Sequence, residues 1–382
     1  MSKKKVFKIC AVFCFTLLFT AAMAVQIFAG GDGKEEAASG GEETAGIMEQ
    51  LEKEGKVLHI IDWAEWWPEE IYEGFSEEYG IKIVRDNFAS VDDMVTKIKL
   101  DPNADYDITL PEIRGMITMK ELGLLQELNH DWIPNAQRYL PEKTKTAWYD
   151  PGYKYGIATD FYFLAWLYNT KYVDENDPDI GSWKMFFEDA PKWSGKITML
   201  ETMYQVIGSA LLSLGYSYNS DNEKELMEAR DVLVEFKPHM MSWDEWPKRV
   251  LLEEEAWASQ LWIGESWFLS KENDAIRGAL DPNGTLMGVD SLVIPKGAKH
   301  AAAAHLFMDY LLRPEINALL ISTIGYAPNH TETAKHLSEE MRNWPGVDVS
   351  EDYLKKCEFV HPRAYTGKGL ELREKIWQEL RQ

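Results

Sequence analysis

The feature that most constrains the fold is the segment 57–83, whose pattern predicts a strand, a turn, a helix and a second strand. Pro68 followed by two glutamates is typical of a helix start, and Gly80 is typical of a helix end. The turn between the first strand and the helix carries three tryptophans: Trp63, Trp66 and Trp67. Single tryptophans usually pack in cores, but ligands of open α/β sheets bind at the carboxyl ends of strands. This turn therefore predicts an aromatic ligand site.

The amino terminus has the pattern of an export signal. Four lysines precede an apolar run over residues 9–25, which predicts a cleavable signal peptide over residues 1–29 and a periplasmic protein. Residues 30–55 are rich in Gly, Ala and Glu, so we expect a flexible acidic lead-in. Cys357 is the only cysteine after residue 29, so no internal disulfide is expected.

The charge of the chain is strongly negative. The formal net charge is −23, and removing the first 29 residues, with four lysines and no acids, makes it −27. This balance argues against nucleic acid and anionic membrane surfaces as partners. It suits a cationic ligand, although solubility explains it equally well.

From residue 57 onward, predicted strands and helices alternate, which indicates largely parallel sheets flanked by helices. A chain of 382 residues suggests two lobes. No nucleotide-binding, zinc-protease or hydrolase motif occurs. His300 and His305 lie close together on a predicted helix, but a packing role is favoured for them, and we predict no metal and no cofactor.

Four turns that follow or flank predicted strands carry aromatic or acidic side chains. They are residues 62–67, 111–114 and 262–267, and Asp290. Ring faces attract ammonium groups, and carboxylates pair with them where water is excluded. If these turns converge, they form a site for an organic cation.

The order of these segments resembles the spermidine/putrescine-binding proteins of bacterial ABC importers over about residues 56–360. The matching passages are LHIIDWAEWWPEEIYEGFSEEYGIKI, DYDITLPE, SALLSLGYSYNS, QLWIGESW, MGVDSLVIPKGAKH and HLFMDYLLRPEINALLISTIGYAPN.

The resemblance implies a two-lobed periplasmic binding-protein fold. Each lobe would be a mostly parallel sheet flanked by helices, with crossovers at a hinge. We expect one lobe to comprise residues 56–160 and 291–330, and the other residues 161–290 and 331–382. Such a protein captures its ligand between the lobes and delivers it to an ABC permease without making or breaking a bond.

The resemblance also assigns site residues. An aspartate would pair with an amine of the ligand, and aromatic side chains would surround it. These residues fall on Trp63, Trp66, Trp262, Asp290 and Tyr326.

The chain departs from the family pattern at several of its site positions. Where the family has Pro-Ser-Thr-Tyr, this chain has Glu112 and Arg114 at the second and fourth positions. An expected pair of acids falls on Thr202 and Gln205, and an expected tryptophan is replaced by Gly288. Glu112, Thr202, Gln205 and Arg114 are therefore also candidate ligand-binding residues, and the bound amine stays open.

Three hypotheses follow. The first is a monomeric polyamine-binding protein, with Glu65, Glu112 or Glu201 supplying the missing negative charge. The second keeps the fold but binds a quaternary ammonium compound or an amino acid derivative, because Arg114 would suit a carboxylate on the ligand. The third is an exported carbohydrate-active enzyme with tryptophan platforms, for which no particular pair of acids is indicated.

Overall fold

The computed structural model describes most of the chain. The described residues are 40–63, 66–101, 105–244 and 246–382. The predicted signal peptide and the candidate Glu65 lie outside them. No helix within these ranges is both long and apolar enough to cross a membrane.

The strands, in chain order, are β1 (Val57–Trp63), β2 (Lys82–Phe88), β3 (Ile108–Thr109), β4 (Gly156–Ala158), β5 (Asp160–Asn169), β6 (Ile197–Leu200), β7 (Met240–Asp244), β8 (Ala258–Trp262), β9 (Ile276–Ala279), β10 (Leu286–Gly288), β11 (Ser291–Val293), β12 (Ala327–Pro328) and β13 (Glu358–Phe359).

The α-helices are α1 (Gly40–Glu54), α2 (Glu69–Tyr79), α3 (Val91–Leu100), α4 (Ile113–Glu121), α5 (Pro134–Tyr139), α6 (Glu142–Lys145), α7 (Trp183–Glu188), α8 (Met203–Ser213), α9 (Glu223–Phe236), α10 (Lys248–Leu252), α11 (Glu265–Glu272), α12 (Ala301–Leu311), α13 (Pro314–Ile324), α14 (Glu339–Arg342), α15 (Glu351–Lys356), α16 (Pro362–Tyr365) and α17 (Gly367–Leu380). Short 3₁₀ helices lie at His130–Trp132, Ala190–Trp193, Lys237–His239 and Thr333–His336.

The strands form two sheets, as a two-lobed α/β fold requires. The first sheet has the order β2-β1-β3-β11-β4, and the second has β13-β10-β5-β8-β6-β7, with β9 and β12 also paired to β5. The predicted α/β architecture with one sheet in each lobe is confirmed.

The prediction that these sheets are mostly parallel is wrong. In the first sheet β1 is parallel to β2 and β3, but β11 is antiparallel to β3 and β4. In the second, β5 is antiparallel to β8, β9, β10 and β12. A buried strand shows a continuous apolar run whichever way it runs, so the sequence pattern does not reveal direction.

Two chain segments pass between the sheets side by side. Thr159 separates β4 from β5, and Val289 and Asp290 separate β10 from β11. The amide of Thr159 donates to the carbonyl oxygen of Asp290 at 3.0 Å. These crossovers put Asp160 and Asp290 between the two sheets. The predicted lobe limits themselves remain a proposal.

The segment 57–83 folds as its pattern predicts. Strand β1 is followed by α2, whose Ile71 and Phe75 are buried four residues apart. Gly80 ends this helix in the left-handed conformation, with φ of 65°. The tryptophan turn therefore lies at the carboxyl end of β1, where a ligand site is expected.

The predicted flexible lead-in is wrong over residues 40–54, which form helix α1. Ile47 and Leu51 are four residues apart and fully buried. Glu54 accepts the amide hydrogen of Ala302 at 2.8 Å, so α1 is tied to the start of α12. The Gly- and Glu-rich composition hid a single apolar stripe, which is enough to hold a short helix on a core.

Candidate functional site

Two acids meet where the chain passes between the sheets. The side-chain carboxyls of Asp160 and Asp290 are both buried and lie side by side, and Asp160 Oδ1 has no hydrogen-bond donor. The Thr159 hydroxyl lies 2.8 Å from Asp160 Oδ2 and 3.2 Å from the carbonyl oxygen of Asp290. Within the described ranges, no lysine or arginine forms an ion pair with either acid. The pair therefore lacks the cation that normally accompanies buried carboxylates.

The pKa values of both acids are shifted upward. Burial raises the pKa of Asp290 well above its usual range, and the neighbouring charges of Asp160 and Glu112 raise it further. Burial also raises the pKa of Asp160, against the opposing effect of the Thr159 hydrogen bond. Two carboxyls that share a buried site cannot both ionise readily, so the ligand-free pair holds a shared proton.

Glu112 connects this pair to the start of helix α4. Its backbone forms an antiparallel bridge with Asp290. Its Oε2 accepts the amide hydrogen of Arg114 at 2.9 Å, which caps α4, and its Oε1 lies 3.2 Å from Arg114 Nε. An acid is favourable at this position because the first amides of a helix are unpaired and carry partial positive charge.

Arg114 is therefore a paired cation at the edge of the site. Its side chain is 52% exposed, and its guanidinium lies 5.8 Å from the centre of the Tyr204 ring. Half of the side chain remains in water, so the charge is neither unpaired nor fully desolvated.

Four aromatic rings lie in series beside the acids. The ring centres of Trp66 and Tyr326 are 5.8 Å apart, and those of Tyr326 and Tyr162 are 6.5 Å apart. Tyr162 meets Trp262 edge-on at 5.1 Å. Gly264 makes room for the Tyr326 ring, since a Cβ at position 264 would lie 2.2 Å from one of its ring carbons. Tyr162 and Trp262 lie on β5 and β8 of the second sheet, whereas Trp66 lies in the turn after β1 and Tyr326 directly before β12.

A narrow cavity of about 20 Å³, partly open to solvent, continues from this cluster. Its polar and aromatic lining comes from Glu112, Arg114, Tyr162, Tyr204, Gln205, Tyr218 and Trp262.

Buried acceptor atoms without hydrogen-bond donors lie around this cavity. Gln205 Oε1 and Glu112 Oε1 have no hydrogen-bond partner, because the Arg114 contact with Glu112 Oε1 lacks hydrogen-bond geometry. The hydroxyl of Thr202, at the start of α8, is also unpartnered. Buried acceptors are almost always paired in folded proteins. A ligand ammonium group carries three donors and would satisfy them.

Two residues that were predicted to contact the ligand, Trp63 and Glu201, contact other parts of the protein. Trp63 packs edge-on against Phe88, with ring centres 4.5 Å apart, and its place in the cage stays a prediction. Glu201 pairs with Arg381 at 2.5 Å, which leaves Glu112 as the better candidate for the missing charge.

Sequence reasoning missed Asp160 and Tyr162. They lie two residues apart at the start of β5, on one face of the strand, and this alternation was the available signal. Tyr162 also explains why glycine replaces the tryptophan that the family pattern expects at position 288, since a Cβ on Gly288 would lie 1.9 Å from the Tyr162 ring. The Tyr162 ring thus occupies the space beside position 288.

Known proteins resemble this chain over most of its length. Residues 70–348 match the profile described as bacterial extracellular solute-binding protein. Spermidine/putrescine-binding periplasmic protein 1 of Haemophilus influenzae is 26% identical over 327 residues, which cover 85% of this chain and 88% of that protein. The spermidine/putrescine-binding periplasmic protein of Escherichia coli is 25% identical, over 86% of this chain and 92% of that protein.

Solved structures show the same fold. The spermidine/putrescine ABC transporter substrate-binding protein of Streptococcus pneumoniae, solved in complex with calcium and HEPES, superposes with a TM-score of 0.78. It is 26% identical in sequence, and the match covers 86% of this chain and 100% of that one.

Proposed function

The chain belongs to the bacterial extracellular solute-binding proteins, and from that premise we propose that it captures a polyamine of the putrescine or spermidine type and delivers it to the permease of an ABC importer. The relatives with such names bind spermidine and putrescine, and they supply the ligand class of the proposal.

The observation that carries the proposal is the acid pair at the crossovers. Asp160 and Asp290 are buried, touch each other and have no cationic partner in the described part of the chain. An ammonium group placed between them would pair with both carboxylates in a desolvated site. The rings of Trp66 and Tyr326 beside it would add cation–π attraction of about 0.5–2 kcal/mol each.

Glu112 and Gln205 offer a second ammonium position. Both line the cavity, and each has an acceptor oxygen without a donor. Glu112 thereby replaces the charge that the family pattern expects at Thr202 and Gln205. The two ammonium positions suit a ligand with amines at both ends.

The same proposal places the protein in the periplasm as a monomer that contacts permease subunits and no nucleic acid. The periplasmic relatives and the net charge of −23 support this placement. The protein carries its ligand unchanged, as the substrate-binding relatives imply.

Arg114 supports a second candidate ligand. Its guanidinium reaches the cavity lining beside Tyr204. A ligand with an ammonium at Asp290 and a carboxylate at Arg114, such as an amino acid derivative, would pair with both.

A thermal-shift screen of the protein without residues 1–29 tests the proposal. Putrescine and spermidine should raise the unfolding midpoint, since a ligand at a hundredfold excess over its dissociation constant stabilises by about 2.7 kcal/mol. Betaine, carnitine, choline and amino acids are the comparison set. Asp290→Ala should remove the shift. The polyamine proposal fails if no di- or polyamine raises the midpoint.

The second ammonium position has its own test. Glu112→Gln should weaken putrescine binding by about 10–100-fold, because a charge-assisted hydrogen bond contributes about 1.5–3 kcal/mol. Butylamine has only one amine, so its affinity should fall much less in this variant. Equal losses of affinity for putrescine and butylamine would show that Glu112 does not form the second ammonium position. If only zwitterions bind, Arg114→Tyr should abolish that binding.

A further inference from the structure

A second cluster of polar side chains lies away from the ligand cleft. His59 is on β1, Asp107 precedes β3, and His300 is the residue before α12. His59 lies four residues before Trp63 on β1, about 13 Å along an extended strand. The cluster is therefore at the opposite end of β1 from the tryptophan turn.

The three side chains converge on one oxygen atom. The Nδ1 atom of His59 lies 3.3 Å from Asp107 Oδ2, and Nδ1 of His300 lies 2.9 Å from the same oxygen. One ligand atom from each residue can be chosen so that all lie within 4.8 Å of one another. In a tetrahedral site with bonds of about 2.0–2.1 Å, neighbouring ligand atoms are about 3.3 Å apart. The cluster is thus close to the spacing that a bound ion needs.

We propose that His59, Asp107 and His300 bind a first-row divalent metal ion such as Zn²⁺, at a site separate from the ligand cleft. Two imidazole nitrogens and one carboxylate oxygen suit Zn²⁺ and its transition-metal neighbours. Ca²⁺ and Mg²⁺ prefer sites built from oxygen atoms alone, so they would bind poorly here.

Backbone amides hold the carboxylate in place. Asp107 Oδ1 accepts the amides of Lys299 and His300 at 3.0 and 2.9 Å, and Oδ2 accepts the amide of His59 at 2.9 Å. Outer contacts of this kind fix a metal ligand in one orientation. The buried carboxylate therefore needs no rearrangement before an ion arrives.

The ion has a path into the site. The side chains of His59 and His300 are 22% and 14% exposed, while Asp107 is buried. A carboxylate oxygen can only accept, so in the metal-free protein each Nδ1 carries its hydrogen. Metal binding would replace those hydrogens, each ring then carrying its proton on Nε2. Water would complete the coordination, and Asp105, now paired with Lys299, lies beside the rings.

The site would join three elements of the first sheet's lobe. β1, the chain before β3 and the start of α12 all contribute a ligand. Because the ion would bind only the folded chain, it would stabilise that lobe by an amount that grows with the logarithm of the metal concentration.

Calorimetric titration of untagged, chelator-treated protein with Zn²⁺ tests the proposal. We expect saturable binding of about one ion per chain and no saturable binding of Ca²⁺ or Mg²⁺. His59→Gln and His300→Gln should each weaken Zn²⁺ binding by about 10–100-fold or more, since the loss of even an outer contact lowers metal affinity by that factor. His336→Gln, which changes an exposed histidine elsewhere, should leave it unchanged.

Unsaturable binding, or equal binding by all three variants and the parent, would overturn the proposal. Circular dichroism reports whether each variant folds. If His59→Gln or His300→Gln does not fold, Co²⁺ absorption of the parent decides: a visible band of four-coordinate Co²⁺ that Zn²⁺ abolishes is expected, and its absence would refute the site.

Discussion

The carboxyl of Asp160 touches the carboxyl of Asp290 at the two points where the chain crosses between the sheets. Both side chains are buried; the Thr159 hydroxyl donates to Asp160, and the Thr159 amide donates to the carbonyl oxygen of Asp290. In the ligand-free protein the pair keeps a proton, which an ammonium group would displace. Ligand capture and proton release are then one event.

Putrescine binding should therefore release about one proton at mildly acidic pH. Affinity should rise with pH by up to about tenfold per unit, because the ionised pair binds the cation and putrescine itself keeps its protons below about pH 10. Calorimetry at pH 5.5–6.5 in two buffers of different ionisation enthalpy measures the released proton directly.

Asp160→Asn should lose this proton release and bind putrescine about tenfold more weakly, since one charge-assisted contact is gone. Asp309→Asn is the matched control, because Asp309 also has a raised pKa, to about 6, but lies on α12 against Asn135. If the parent releases no proton in this range, the pair does not bind the ammonium in the way proposed.

The same pair makes stability depend on pH in a definite direction. A carboxyl whose pKa is higher in the folded than in the unfolded chain binds its proton more tightly when folded. Its contribution to the free energy of unfolding is therefore complete below the unfolded value of about 4 and is lost as the pH rises through the folded pKa. The ligand-free parent should lose stability between pH 5 and 8.

The variant Asp160→Asn should lose less stability over that interval. At pH 8 its free energy of unfolding should exceed that of the parent by about 1 kcal/mol or more, since each pKa unit corresponds to about 1.4 kcal/mol. Urea unfolding of both proteins at pH 5 and 8 without ligand measures this difference. Asp62 and Glu265 also have raised pKa values, but they are present in both proteins and cancel. Parallel pH profiles for the two proteins would contradict the expectation.

Local sequence patterns predicted the helices and strands of the fold more completely than they predicted the residues of the ligand site. Helix α2 was predictable because Pro68, Ile71, Phe75 and Gly80 each act within one helix. Strand direction was not, because β5 pairs with segments up to 168 residues away. Asp160 was overlooked for the same reason: its role depends on Asp290, and only the folded chain brings these two acids together.

The space beside Gly288 gives a further prediction. A Cβ at this position would lie 1.9 Å from the Tyr162 ring, so Gly288→Ala should lower the free energy of unfolding by about 1–3 kcal/mol. Adding Tyr162→Leu should recover part of that loss, which a double-mutant cycle in urea would show. Gly46→Ala, in helix α1 with nothing within 4 Å of the new Cβ, should be neutral or stabilise by about 0.5–1 kcal/mol. A cost for Gly288→Ala no greater than for Gly46→Ala would contradict the close approach of Tyr162.

The metal cluster shows a second limit of sequence reasoning. His59 and Asp107 are 48 residues apart, and Asp107 and His300 are 193 apart. No short motif spans such distances, so the pattern of the histidines predicted only packing. The residue that does pack is His305, which is buried and accepts the amide hydrogen of Asn129.

Helix α1 yields the last prediction, because it replaces an expected tether. Leu51 is fully buried, so Leu51→Ala should cost about 2–5 kcal/mol, as cavity-forming substitutions do in cores. Met48 lies on the same helix but is exposed, so Met48→Ala should change stability by no more than about 0.5 kcal/mol. Urea unfolding monitored by tryptophan fluorescence compares the two variants with the parent. A flexible lead-in would make both substitutions neutral, whereas a helix packed on the first sheet's lobe makes only Leu51→Ala destabilising.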